Sequence, residues 1–180
     1  MTEMKRGTRR VGGRTPEGRL FGLVLGTVFG LFLLLACSSI DCPVQNTIAV
    51  NYGFYTGDGE AVSLLDTVDI WSKRADGTDT ILFNRGVNVS TVSLPIGYSN
   101  PEDTLFLSVS NNGVLGIDTL WIKKENIPHF ESVDCSAAFF HRITAVRCTS
   151  HLLDSVVINH SSVTYDTSQE HLRLYFKTGD

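Results

Sequence analysis

From residue 46 to the C-terminus, apolar residues recur at every second position in short runs, and no long segment carries them at the spacing of a helix face. "HLRLYFK" is the clearest case: Leu172, Leu174 and Phe176 fall on one side of an extended chain, Arg173, Tyr175 and Lys177 on the other. Similar runs predict strands in "TIAVNYGFY", "VSLLDTVDIW", "TILFN", "NVSTVSL", "TLFLSVS", "VLGIDTLWIKK", "AFFHRITAVRC", "DSVVINH" and "SVTY". Between them, "TGDGE", "ADGTD", "SNPED", "SNNG" and "NIPHF" supply residues that favour turns or tolerate positive φ. "CSAAFF" is the one stretch where a short helix could begin. About nine short strands with turns at this spacing predict an all-β fold, an immunoglobulin-like antiparallel β-sandwich.

The first 36 residues follow a different pattern. Lys5, Arg6, Arg9, Arg10, Arg14 and Arg19 precede an uncharged apolar run from Leu20 to Ala36, too short for a comfortable membrane span and flanked like a secretion signal. It closes on Leu34-Leu35-Ala36-Cys37, which resembles a bacterial lipobox. That resemblance implies diacylglyceryl attachment at Cys37, cleavage after Ala36 and acylation (palmitate or similar) of the new amine; an uncleaved helical anchor is the alternative. Several acyl chains, each methylene contributing about 0.8 kcal/mol, hold a protein firmly on a bilayer. The expected organisation is a lipoprotein signal peptide at 1–36, a lipidated tether at 37–45 and one β-sandwich domain at 46–180.

Cleavage removes six of 15 basic residues but two of 19 acidic ones, leaving a net charge of −8 with histidines neutral. So acidic a chain without a basic cluster argues against nucleic acid as a partner. With Cys37 lipidated, Cys42, Cys135 and Cys148 remain. Three cysteines allow at most one intramolecular bridge; the similar settings "SIDCP" and "SVDCS" suggest Cys42 with Cys135, and Cys135 with Cys148 is the alternative. Their spacing does not suit zinc, and no metal or other cofactor is expected.

One tripeptide recurs. Asp followed by Thr or Ser and an aliphatic residue occurs at Asp66, Asp79, Asp103, Asp118 and Asp154, where composition alone would give about one such triplet. Read structurally, Asp ends a turn, the hydroxyl residue opens a strand facing outward, and the aliphatic residue starts its buried face. The triplet also resembles the acceptor motif of general periplasmic O-glycosylation in Bacteroidota, which marks Thr67, Thr80, Thr104, Thr119 and Ser155 as O-glycosylation candidates.

Candidate chemistry is sparse. "PHFESVDCSAAFFH" gathers His129, Glu131, Asp134 and His141, a conceivable metal or acid–base site for a hydrolase, although a solvated edge explains it as well. "RADGTDT" has the Asp and Gly of a calcium loop without the downstream bidentate Glu and reads as a hairpin turn. Tyr52, Phe54, Tyr55, Trp71 and Trp121 could stack on sugar rings or simply pack. No nucleophile elbow or phosphate-cradling loop is present, and catalysis is not expected.

"CSSIDCP", "LPIGYSNPEDTLFL", "DTLWIKKENIPHFESVDC" and "LLDSVVINHSSVTYDTSQEHLRLYF" together resemble an uncharacterised family of Bacteroidota envelope lipoproteins. The resemblance implies a lipid-anchored, β-rich outer-membrane protein and brings no ligand or catalytic residue. Ser38 after the lipidated cysteine suits transport to the outer membrane, and the lack of an acidic run there favours the periplasmic face over the cell surface. The expected function is a non-catalytic interaction or assembly module with an envelope protein partner. The alternatives are a glycan-binding accessory and a hydrolase or metal site around His129 and His141.

Overall fold

The computed structural model describes residues 48–111, 114–130, 135 and 138–177. The chain divides into two compact units, 1–41 and 42–180, and all described residues belong to the second. Ten strands follow in order: β1 (Ala49–Thr56), β2 (Thr67–Lys73), β3 (Asp79–Gly86), β4 (Thr91–Pro95), β5 (Glu102–Asn111), β6 (Val114–His129), β7 (Ala138–Cys148), β8 (Leu153–Ile158), β9 (Ser162–Val163) and β10 (Leu172–Phe176). They form a four-stranded sheet, β4-β1-β10-β8, and a six-stranded sheet, β3-β2-β5-β6-β7-β9. Every pairing is antiparallel except β1 with β10, which run parallel with Tyr52 opposite Leu172. No helix occurs among the described residues.

The two sheets enclose one apolar layer. Val50, Tyr52 and Phe54 of β1, Leu94 of β4 and Leu172, Leu174 and Phe176 of β10 come from the smaller sheet. Val68, Ile70, Leu105, Leu107, Leu120, Ile122 and Ile143 come from the larger. Most are aliphatic residues at alternate positions, so burying one face fixes each strand's register against a one-residue slip.

Three departures from simple alternation have local causes. In β7, Lys123 pairs with Ala145 but Lys124 with Ile143, so Thr144 is an extra residue. Its hydroxyl donates to Lys123 O at 3.2 Å, and Ile143 and Val146 both pack on the core despite their odd spacing. In the first half of β3 the phase is reversed relative to expectation: Ile81 lies 66% exposed, while Thr80 Oγ1 is buried and unpartnered; Phe83 packs against the core as the alternation predicts. Register shifts along β2 accompany this reversal. Asp69 accepts the Arg85 N–H at 2.6 Å, holding that residue at φ +49° where β3 ends. Third, "NIPH" continues β6 rather than turning, which makes β6 sixteen residues long. Pro128 fits because β5 has ended opposite Lys123 and only β7 pairs with this part of β6. Ala138–Phe140 of "CSAAFF" opens β7 instead of a helix.

Candidate functional site

Chain segments that cross between the sheets must satisfy backbone polar groups at the ends of the core, and long-range polar contacts do this at three places. Asp118, fully buried on β6, holds the β7–β8 crossing. Its Oδ1 accepts from the Thr149 hydroxyl (2.6 Å) and the His151 N–H (2.8 Å), its Oδ2 from the N–H groups of Leu152 and Leu153 (2.7 Å each). Burial pushes its pKa up, but these hydrogen bonds stabilise the charged form more and hold it below the ordinary carboxylate value. Six residues along the same strand, Lys124 holds the β4–β5 crossing: its buried ammonium donates to Asp103 Oδ1 (2.7 Å) and Asn100 O (3.0 Å). Asp103 Oδ2 in turn accepts the Gly97 N–H at 3.1 Å.

The third lies where the β9–β10 connection meets β1. His171 is fully buried; its N–H donates to Asn51 O (2.9 Å) and its Nδ1 accepts the Asn51 N–H (3.0 Å), so a ring nitrogen completes what a strand carbonyl would provide. The Asn51 side-chain amide donates to Thr167 O and Gln169 O at 2.8 Å each. An acceptor at Nδ1 requires a neutral ring, since a proton there would face the Asn51 N–H. Burial and the nearby His160 lower the His171 pKa. Burial and Lys124 likewise lower that of His141, to about 4, with its Nδ1 2.8 Å from Asn126 Oδ1. Both folded-state pKa values lie below the unfolded one, so their stabilisation is complete above about pH 6.5 and is lost as pH falls toward the folded values. Urea midpoints should therefore decline progressively from about pH 6.5 toward 4. His171→Gln, which keeps an acceptor that does not titrate, should remove part of the decline; an unchanged pH profile would refute the assignment.

The outer face of the six-stranded sheet carries a row of aromatic and exposed apolar side chains. Trp71 stacks on Phe106 directly across the β2–β5 pair (5.5 Å, 18°), with Ile81 on the far side of Trp71 and Lys73 Nζ 5.8 Å from the Phe106 ring centre. One strand further, the Arg147 guanidinium lies 3.9 Å from the Trp121 ring centre and reaches Glu102 Oε1 at 3.1 Å. Leu115 and Ile117 continue this surface along β6, 60% and 40% exposed. Shared strand parity places Trp71, Phe106 and Trp121 together, as the alternation required.

The other aromatic residues go elsewhere. Tyr52 and Phe54 belong to the core, and Tyr55 stands on the outer face of the opposite sheet, so no five-residue platform forms. His129 and His141 are not brought together. Asn126 pairs with His141 and His129 with Ala138, three residues away, which places the two imidazoles on opposite faces of the β6–β7 pair. His129 stacks on Phe140 at 4.1 Å with Tyr165 edge-on at 5.9 Å, while His141 is buried. Glu131 and Asp134 lie outside the described residues, and no metal-binding cluster occurs among the described ones. "RADGTDT" forms the β2–β3 hairpin turn, where Asp76 Oδ1 accepts the Thr78 N–H (2.9 Å) and hydroxyl (2.6 Å) beside Gly77 at φ +83°.

Of the recurring triplets, Thr67, Thr104, Thr119 and Ser155 are half-buried, and Thr80 has its hydroxyl inside. The carboxylates of Asp103 and Asp118 are engaged as above, a role their sequence settings do not reveal. Cys148 is a half-buried free thiol, with its pKa raised by burial and then by Asp118 and Asp154, so the Cys135–Cys148 bridge is not formed. Cys135 is disulfide-bonded, and Cys42 and Cys37 lie outside the described residues.

The molecule is thus an all-β sandwich of four and six strands whose sheet crossings are pinned by buried polar side chains. The chain belongs to a family of unknown function, DUF6452, whose model matches residues 67–176, from the start of β2 to the end of β10. No curated protein and no solved structure matches it.

Proposed function

We propose that the chain is a Bacteroidota outer-membrane lipoprotein, anchored through Cys37 on the periplasmic face, that works as a non-catalytic interaction module within an envelope assembly. The Leu34-Leu35-Ala36-Cys37 pattern supports the anchor, and Cys42 is the proposed partner of Cys135. Mass spectrometry of the native protein tests both. A chain beginning at a lipidated Cys37 and a non-reduced peptide joining Cys42 to Cys135 are expected; residues 1–36 retained would overturn the first, a different bridge the second. Lipid as the whole mass difference between native and cytoplasmically made mature protein would end the glycosylation proposal for Thr67, Thr104, Thr119 and Ser155.

The observation that carries the interaction role is the aromatic layer of Trp71, Phe106 and Trp121 on the open sheet. Such a surface suits protein contact, where aromatic residues and arginine concentrate binding energy. A glycan-binding role on this face is less favoured, because Arg147 and Lys73 occupy ring surface that a sugar would need. Crosslinking from native membranes with tagged full-length protein should recover an envelope protein in stoichiometric amount. Trp71→Ala with Trp121→Ala should lower its recovery at least tenfold, about 1.4 kcal/mol of binding, without changing the unfolding midpoint much. Undiminished recovery would refute this face, and absence of any envelope partner would refute the module.

A further inference from the structure

The opposite sheet carries a second, polar feature. A pocket of about 290 Å³ opens between β1, β4 and the 164–170 connection, with Asn51, Thr91, Ser93, Thr167, Gln169 and Glu170 among its walls. Tyr52 and Val92 also line it.

Its acidic wall is built rather than incidental. Tyr55 Oη donates to Glu170 Oε2 (2.8 Å) and Arg173 Nε to Oε1 (2.6 Å), so both oxygens are held. The carboxylate crosses the β1 backbone at Gly53, where a β-carbon would collide with Oε2; a glycine is needed for close approach, not for its φ. The Asn51 side chain is fixed by its two donations to the loop backbone, and its Oδ1 accepts no hydrogen bond among the described residues. Thr91 and Ser93 expose hydroxyls on the pocket's other side. Beyond Glu170 and outside the pocket, the Tyr55 ring lies against Tyr175 (5.6 Å) and under the Arg173 guanidinium (5.1 Å), a packing that holds the Glu170 partners in place.

Charge selects among ligand classes. Arg173 already neutralises Glu170, which weakens the attraction for a cation, and the carboxylate repels an anion. What remains are spare carboxylate lone pairs, an amide oxygen and two hydroxyls around a space of monosaccharide size. Such a set of acceptors and two-way groups fits a neutral molecule rich in hydroxyls. We propose that this pocket binds a neutral saccharide unit, with Glu170 and Asn51 as its principal acceptors and the Thr91 and Ser93 hydroxyls facing them. The site is separate from the Trp71–Trp121 face and does not depend on its role.

The test is saturation-transfer NMR on the full chain in a detergent without a sugar headgroup, using glucose, galactose, mannose, N-acetylglucosamine and their β-linked disaccharides at millimolar concentration. At least one sugar is expected to bind, and Glu170→Gln to weaken it tenfold or more. Ser93→Tyr, on an exposed edge-strand position, should block the pocket while the fold persists, whereas Trp71→Ala with Trp121→Ala should leave sugar binding unchanged. Absence of binding across the panel, binding of methylammonium alone, or equal sugar binding by folded Ser93→Tyr would each overturn the proposal.

Discussion

Replacing Asp118 with alanine is expected to cost the domain about 4 kcal/mol, a large part of the 5–15 kcal/mol typical of a folded protein. The substitution leaves the N–H groups of His151, Leu152 and Leu153 and the Thr149 hydroxyl without their acceptor in a closed corner of the sandwich. Each unsatisfied buried group costs about 1–3 kcal/mol, part of which water entering the vacated space recovers. Asp118→Asn should lose about half as much, because it keeps the volume and one acceptor oxygen but turns an amide N–H₂ toward other donors. The His151 ring, 3.1 Å from Oδ1 but 70% exposed, adds little.

Acid gives an independent reading of the same residue. Because the Asp118 pKa is held below its unfolded value, its stabilisation is complete above about pH 3.9 and is lost as pH falls through the lower, folded value. Urea unfolding followed by circular dichroism should show Asp118→Ala strongly destabilised at neutral pH, with the difference from the parent narrowing in strong acid. A loss below about 1 kcal/mol would mean the crossing is held by other contacts.

Lys124→Met is expected to cost about 3 kcal/mol. The methionine fills most of the lysine's space, yet it leaves the Asp103 carboxylate, only 20% exposed, beside an empty position and the Asn100 carbonyl without its donor. Removing one member of a buried pair costs more than removing both, since the remaining charge is desolvated without compensation. Adding Asp103→Asn, which keeps an acceptor for the Gly97 N–H, should therefore restore part of the loss. A double-mutant cycle should return a coupling of about 1–3 kcal/mol. Strict additivity would show that Lys124 does not act through Asp103.

The alternation of "HLRLYFK" made β10 legible because a strand's faces follow from a period of two, and Leu172, Leu174 and Phe176 are buried as that period requires. The same period puts Trp71 and Trp121 on the face opposite the aliphatic residues of their strands, while whether anything covers that face is not written in the alternation. The first half of β3 was not legible, because β3 carries the extra residues where it pairs with β2, and the place of such a bulge is set by the partner strand rather than by the residues of β3 alone. Nor did the "NIPHF" turn signal hold: residues with turn preference become strand where a long partner, here β7, offers them a ladder. The polar anchors were the least visible. Asp118 shares its tripeptide with Asp66 and Asp154, and what distinguishes it is a loop more than thirty residues away that closes over its carboxylate.

By itself the sequence determined the strand content, the faces of most strands and the apolar layer they build, because these depend on side chains one and two positions apart. The tertiary structure alone decided which strands share a sheet, the parallel pairing of β1 with β10 and the placement of Glu170 over Gly53. It also decided that Asp118, Lys124 and His171 are anchors rather than reactive groups. Those outcomes depend on contacts between residues far apart in the chain, whose free energies arise from burial and hydrogen bonding at sites that exist only once the two sheets have closed.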